Sequence, residues 1–193
     1  MRSRQHTLLG LVVALFLTAC AAGTDTASQD ADTSSQDEAA AAGTADTSPQ
    51  DEAVAAGPPV PDRTFETFDG QEVSLTEFAG TPLVVNFWAS WCPPCVAEMP
   101  DLERVHVDRG DQVRFIGLNT QDSLQQAETL VTQTGVTYDL GLDPEGALFS
   151  DFEVVAMPTT FFVDDAGAIV HRHAGLLTEQ QLRDLIDEHL VSS

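Results

Sequence analysis

The chain has 193 residues, and 31 acidic against 8 basic residues give it a formal charge of −23 at pH 7. All the bases are arginines, with no lysine anywhere. Such a surface repels nucleic acid and anionic lipid headgroups alike, which excludes a nucleic-acid partner and leaves lipid, not a polybasic patch, as the means of holding a membrane.

At the N-terminus, Arg2 and Arg4 precede a short apolar run from Leu8 to Leu17 that ends in Leu17-Thr18-Ala19-Cys20. The run is too short to span a bilayer core, which takes about 20 apolar residues. It resembles a bacterial lipoprotein signal, which implies that residues 1–19 are removed and that Cys20 is lipidated and becomes the first mature residue. An ordinary secretory signal cleaved near Ala19 or Ala22, with Cys20 left free, is the alternative, and both export the chain.

Residues 20–57 form the next segment, and 21–57 carry eight acids, no base and no aromatic residue. Asp32-Thr33-Ser34-Ser35-Gln36-Asp37-Glu38-Ala39 returns as Asp46-Thr47-Ser48-Pro49-Gln50-Asp51-Glu52-Ala53. A polar, acidic repeat buries too little apolar surface to offset its ordering entropy, so the sequence predicts a disordered linker. A flexible coil of that length spans roughly 30 to 37 Å, which suits a tether.

Residues 58–193 have the size of one ordinary domain. Asp69-Gly70 between Thr64–Phe68 and Glu72–Leu75 predicts an opening β-hairpin. Pro82–Trp88 is a near-continuous apolar run of the buried-strand kind, followed by a helix from Cys92 to about Arg109, with a kink expected at Pro100. Val113–Asn119 is the next strand, and Ser123-Leu124-Gln125-Gln126 reads as a capping-box helix start. A short strand over Tyr138–Leu142 precedes a helix begun by Asp143-Pro144. Thr160–Asp164 and Ala168–Ala174 form a second hairpin, and Thr178 caps a last amphipathic helix carrying Leu182, Leu185, Ile186 and Leu190. This order implies an α/β fold with a central mixed sheet flanked by helices.

Two of the three cysteines stand in Trp91-Cys92-Pro93-Pro94-Cys95, directly after the apolar strand. A strand that ends in Cys-x-x-Cys opening a helix places one sulfur at the helix N-terminus, where free N–H groups and the dipole stabilise a thiolate. Residue i+3 lies one turn along the same face, close enough for a disulfide. Pro93 and Pro94 have no N–H, so the Cys95 N–H is the nearest remaining backbone donor to the Cys92 sulfur.

Phe87-Trp88-Ala89-Ser90-Trp91-Cys92-Pro93-Pro94-Cys95, then Glu98-Met99-Pro100 and, far downstream, Met157-Pro158-Thr159-Thr160 resemble the thioredoxin superfamily, and within it the membrane-tethered TlpA/ResA/DsbE branch. The resemblance covers roughly residues 60–190, including an extra helix and strand between Gly135 and Val155. It implies a thioredoxin-like fold and a thiol-disulfide oxidoreductase without a cofactor, with Cys92 the exposed attacking thiolate and Cys95 the buried resolving thiol. Met157-Pro158 is then the cis-proline whose backbone pairs with a substrate chain, and Trp91, Pro93 and Pro94 form the docking rim. Asn86 stands where thioredoxin carries a buried acid, which leaves Glu98 as the local proton acceptor for Cys95; the competing role for Glu98 is that of an acid in the first turns of a helix.

The partners so implied are protein thiols or disulfides, apocytochrome c among them, and a membrane thiol-disulfide protein that donates electrons. The implied location is the extracytoplasmic face of the bacterial cell membrane, through a lipid anchor. Half a zinc site would need two further ligands, for which the mature domain offers only His106, His171, His173 and His189. A Sco-type copper-binding chaperone is the rival on the same fold, but it has three residues between its cysteines. His171 and His173 share a strand face and read as an exposed polar edge. A peroxiredoxin-like peroxidase would need Thr or Ser where Ala89 stands and Pro where Val85 stands.

Overall fold

Six successive buried residues, Leu83–Trp88, make the strand from which the site is built. In the computed structural model, which describes residues 57–191, this strand is β3 of a seven-stranded mixed sheet. The expected signal sequence, Cys20 and the linker up to residue 56 lie outside the described residues.

The sheet comprises β1 (Thr64–Thr67), β2 (Glu72–Ser74), β3, β4 (Arg114–Thr120), β5 (Asp139–Asp143), β6 (Thr159–Val163) and β7 (Ile169–Ala174), in the order β2-β1-β5-β4-β3-β6-β7. β3, β4 and β5 run parallel, while β1, β6 and β7 pair antiparallel with their neighbours. The helices are α1 (Pro93–Arg109), α2 (Leu124–Thr134), α3 (Ala147–Asp151) and α4 (Glu179–His189), with a 3-10 turn at Leu75–Phe78. The α/β architecture expected from the sequence is therefore present, hairpins included.

The two faces of β3 feed two cores, because successive side chains alternate across a sheet. Val84 and Trp88 pack with Met99, Leu102 and Val105 of α1, with Leu130 of α2 and with Ile186 of α4. Leu83, Val85 and Phe87 pack on the other side with Leu75, Leu148, Phe152 and Phe161. Phe87 sits edge-on to Phe149, Phe152 and Phe161 at centroid separations of 5.2 to 6.0 Å, a favourable aromatic geometry. Gly117 on β4 leaves the room that the Trp88 indole uses, since a Cβ there would come within 3.0 Å of the indole nitrogen and of the Tyr138 ring.

α1 and α4 are bound together by ion pairs. Arg109 pairs with Asp187, Arg104 with Glu179, and Arg183 with both Asp108 and Glu179. Five of the six arginines of the described domain are spent in ion pairs, and Arg172 lies over the Phe161 ring.

Several local details differ from the sequence reading. Ser123 caps α2 through Gln126 N–H, but there is no reciprocal capping box, because the Gln126 side chain instead faces the Ser90 hydroxyl at 3.5 Å. α3 starts at Ala147 and not at Asp143-Pro144: Gly146 precedes it at φ 69°, and the buried Asp143 carboxylate accepts from Leu148 N–H and Phe149 N–H across the intervening turn. In agreement with that reading, α1 runs to Arg109 with Pro100 inside it. His171 is half-buried, not an exposed edge residue, because its ring stacks on His189 of α4 at 4.4 Å and meets Phe162 edge-on.

Candidate active site

β3 delivers the chain through Ala89-Ser90-Trp91 to Cys92, which is the N-cap of α1 in extended conformation. Pro93 and Pro94 occupy the first helical positions, where a missing N–H costs nothing and the fixed φ favours a helix. Cys92 and Cys95 are joined by a disulfide with Cα atoms 5.3 Å apart, and Cys95 N–H points at the Cys92 sulfur at 3.3 Å. Where the resemblance implies an exposed Cys92, the residue is only 5% exposed in this disulfide state. The exposed surface is supplied instead by its neighbours Trp91, Pro93 and Pro94, while Cys95 is wholly buried.

Glu98 lies one turn beyond Cys95 and is fully buried. One carboxylate oxygen accepts from Asn86 Nδ2 at 2.8 Å and the other from Leu177 N–H at 3.0 Å. Burial disfavours its charge more than these hydrogen bonds favour it, and its pKa is pushed up from 4.5 to about 7. An acid whose folded pKa lies above its unfolded one holds a proton that the unfolded chain has lost, so its contribution to stability falls as pH rises from 4.5 to about 7. For the oxidised protein, in which the cysteines do not titrate, we expect Glu98→Gln to gain on the wild type by about 1.4 kcal/mol per pH unit across that window. Denaturant unfolding of both proteins at several pH values measures the difference, and parallel stability curves would refute it.

The Met157–Pro158 peptide bond is cis. Met157 packs against the apolar cluster that contains both cysteines, and the Pro158 carbonyl accepts from Gly175 N–H at 2.9 Å. Trp91, next to Cys92, is 55% exposed, and Val155, two residues before Met157, is 86% exposed.

A second set of contacts secures the turn before Cys92. Trp91 Nε1 donates to the Gln121 carbonyl at 3.0 Å. The Asp122 carboxylate accepts from Ser90 N–H, the Ser90 hydroxyl, Asn119 Nδ2 and Ser123 N–H at 2.6 to 3.1 Å. Burial pushes the Asp122 pKa up, but these donors outweigh it and hold the carboxyl below its usual range. Gln121 adopts φ 50°, a left-handed conformation rare for a side-chain-bearing residue. Sequence reasoning missed Asp122, Gln121 and the Leu177 N–H. Only Asp122-Ser123 ahead of the α2 pattern hinted at a capped turn, and a backbone donor leaves no trace in sequence.

The cysteines, Glu98 and Trp91 are thus brought to one end of the sheet, with Met157 against the same cluster. His106 is packed edge-on to Phe115 and Tyr138, and His171 and His189 stack on each other. Among the described residues no group of three or more His, Cys, Asp or Glu is placed to hold a metal ion.

A disulfide-linked cysteine pair at a helix N-terminus on a mixed, helix-flanked sheet defines a thiol-disulfide oxidoreductase of thioredoxin-like fold. The chain belongs to the Redoxin family, whose model matches residues 55–186. It is 32% identical over 131 residues to the thioredoxin-like protein YneN of Bacillus subtilis, covering 66% of this chain and 76% of that one. It is 40% identical over 111 residues to the thiol:disulfide interchange protein HelX of Rhodobacter capsulatus, covering 57% of this chain and 61% of that one. Among solved structures, a DsbF homologue from Corynebacterium diphtheriae superposes with a TM-score of 0.62 at 30% identity, covering 67% of this chain and 85% of that one.

Proposed function

We propose that the protein is an exported, lipid-anchored reductant of disulfides in partner proteins, with Cys92 and Cys95 as its redox pair. The observation that carries this reading is the Cys92–Cys95 disulfide at the start of α1, with the buried Glu98 carboxyl one turn deeper. In the reduced protein the Cys92 thiolate, held by the Cys95 N–H and the helix dipole, attacks one sulfur of a partner disulfide. A mixed disulfide forms and the partner's other sulfur leaves as a thiolate. Cys95 passes its proton to Glu98 and attacks the Cys92 sulfur, which releases the second partner thiolate. Two electrons have then moved from the cysteine pair to the partner. A membrane thiol-disulfide protein would return them.

Trp91, Pro93, Pro94, Met157 and Pro158 make the docking surface, with the substrate chain added alongside the Met157 backbone as an extra strand. Residues 1–19 act as the signal, lipidated Cys20 as the anchor, residues 20–57 as the tether and residues 58–193 as the working domain. Among the described residues no helix is long and apolar enough to cross a membrane. Apocytochrome c is the partner we favour, in line with the branch resemblance.

Equilibration in dithiol-disulfide buffers tests the direction of electron flow. Potentials on this scaffold run from about −270 mV in reductants to about −120 mV in strong oxidants. A reductant is expected near the low end, as a single two-electron transition that Cys92→Ala abolishes. A value near −120 mV would make the protein an oxidant instead.

A further inference from the structure

Asn86 on β3 and Thr160 on β6 stand opposite each other in the antiparallel register, both fully or almost fully buried. Asn86 Nδ2 donates to Glu98 at 2.8 Å and to Thr160 Oγ1 at 3.0 Å. Its other polar atom, Oδ1, is buried without a hydrogen-bond partner among the described residues. Thr160 is the second residue after Pro158, so this chain of contacts runs from the buried acid into the strand that directly follows the cis-proline.

The donors around Glu98 are of two kinds. Leu177 N–H is a backbone group and donates to Oε2 whatever the charge of the carboxyl. Asn86 faces Oε1 with its NH₂, which suits a carboxylate but opposes an O–H. With Oε2 occupied by a fixed donor, a proton on the carboxyl belongs on Oε1. It is accommodated if the Asn86 amide rotates by half a turn, which places the now unpartnered Oδ1 against it and carries the NH₂ to the buried position that Oδ1 leaves, a cost of the rotated form that is the same with and without the Thr160 hydroxyl. Thr160 permits both arrangements, because a hydroxyl accepts from Nδ2 in one and donates to Oδ1 in the other.

We propose that Thr160 and Asn86 are positioning residues that reorganise with the proton on Glu98, an amide rotation matched by a hydroxyl rotation, and so couple the acid beneath Cys95 to the strand that follows Pro158. The inference rests on Glu98 being the proton acceptor of the reaction. No bond other than hydrogen bonds changes, and the proton stays on Glu98 Oε1 until a thiolate or solvent takes it.

The other groups facing Glu98 are Cys95 on its own helix and Tyr138 at the head of β5. The Tyr138 phenol is buried, and its pKa is raised by burial first and by the Glu98 charge second. Neither replaces the Thr160 contact. Removing the Thr160 hydroxyl strands an N–H of Asn86 when Glu98 is ionised but only under-satisfies a carbonyl when it is protonated, and an orphaned N–H is the rarer and costlier defect. Thr160→Val therefore favours the protonated acid.

The test uses the full oxidised chain, in which no cysteine of the pair titrates, and follows the Glu98 carboxyl carbon and the Asn86 side-chain amide by NMR across pH, with Glu98→Gln assigning the signals. In the wild type both signals should move with a common midpoint of about 7. Thr160→Val should raise that midpoint by about half to one pH unit, the worth of one hydrogen bond, and Thr160→Ser should restore it. An Asn86 amide that ignores the titration of Glu98 overturns the proposal in the wild type alone, even if the valine variant does not fold. An unshifted midpoint in a folded Thr160→Val overturns it as well. A wild-type Glu98 midpoint at the ordinary 4.5 would instead remove the acid's own role, a separate failure visible before any variant is made.

Discussion

Cys95→Ser is expected to accumulate a mixed disulfide with the natural partner, seen as a heavier band that dithiothreitol removes, while Cys92→Ser should lose turnover down to background and trap nothing. The asymmetry follows from where the sulfurs sit. Cys92 caps α1 with a backbone N–H aimed at it and exposed residues on either side, so its thiolate is both stabilised and within reach of an incoming chain. Cys95 is wholly buried one turn in, and among the described residues the Cys92 sulfur is the one near enough for it to attack. Serine at 95 leaves the first displacement intact and removes the second, so the reaction stops at the covalent intermediate. Serine at 92 removes the first displacement. Trapping by Cys92→Ser and not by Cys95→Ser would reverse the two roles. Trapping by neither would mean that the pair does not exchange with protein disulfides.

The parts of this arrangement that could be read from the sequence are those in which function and local structure use the same few residues. The apolar run into Trp88, the two-residue gap between the cysteines and the two prolines at the helix start each constrain the backbone locally, and together they locate α1 and its sulfurs. Hairpins with Gly at the turn and helices capped by Ser123 and Thr178 follow from equally local chemistry. What escaped is contact across the fold. The facing of Asn86 and Thr160 depends on the register between β3 and β6, set by packing on both sheet faces and not by either strand alone. Asp143 reads as a helix start because Asp-Pro is a local signal, yet its carboxylate serves N–H groups five and six residues on. Asp122 gives only a local hint of a capped turn: Asn119 and Ser123 are near it in sequence, but its two Ser90 donors reach it only when β3 and β4 lie side by side. Burial of Cys92 in the disulfide state likewise depends on neighbours brought in from elsewhere.

Blocking lipidation by Cys20→Ser should move the protein from the membrane fraction to the soluble exported fraction without changing its rate on a small soluble disulfide. The cysteine pair and the contacts of Glu98 that carry the chemistry lie among the described residues 57–191. Against a membrane-bound partner the outcome should differ. A tether turns each encounter into an intramolecular one at an effective concentration set by linker length, and losing it commonly costs about 10²-fold or more in apparent affinity. A linker of 37 residues reaches roughly 30 to 37 Å as a flexible coil, so shortening it to a few residues with Cys20 retained should also slow reduction of a membrane-bound partner, although the protein stays with the membrane. One acyl chain gives only marginal binding, so firm association requires more than one at the N-terminal cysteine. A mature wild-type protein found in the soluble fraction with a free thiol at Cys20 would identify an untethered secreted oxidoreductase. The acidic repeat would then have no anchor to reach from, and its role would not be that of a tether.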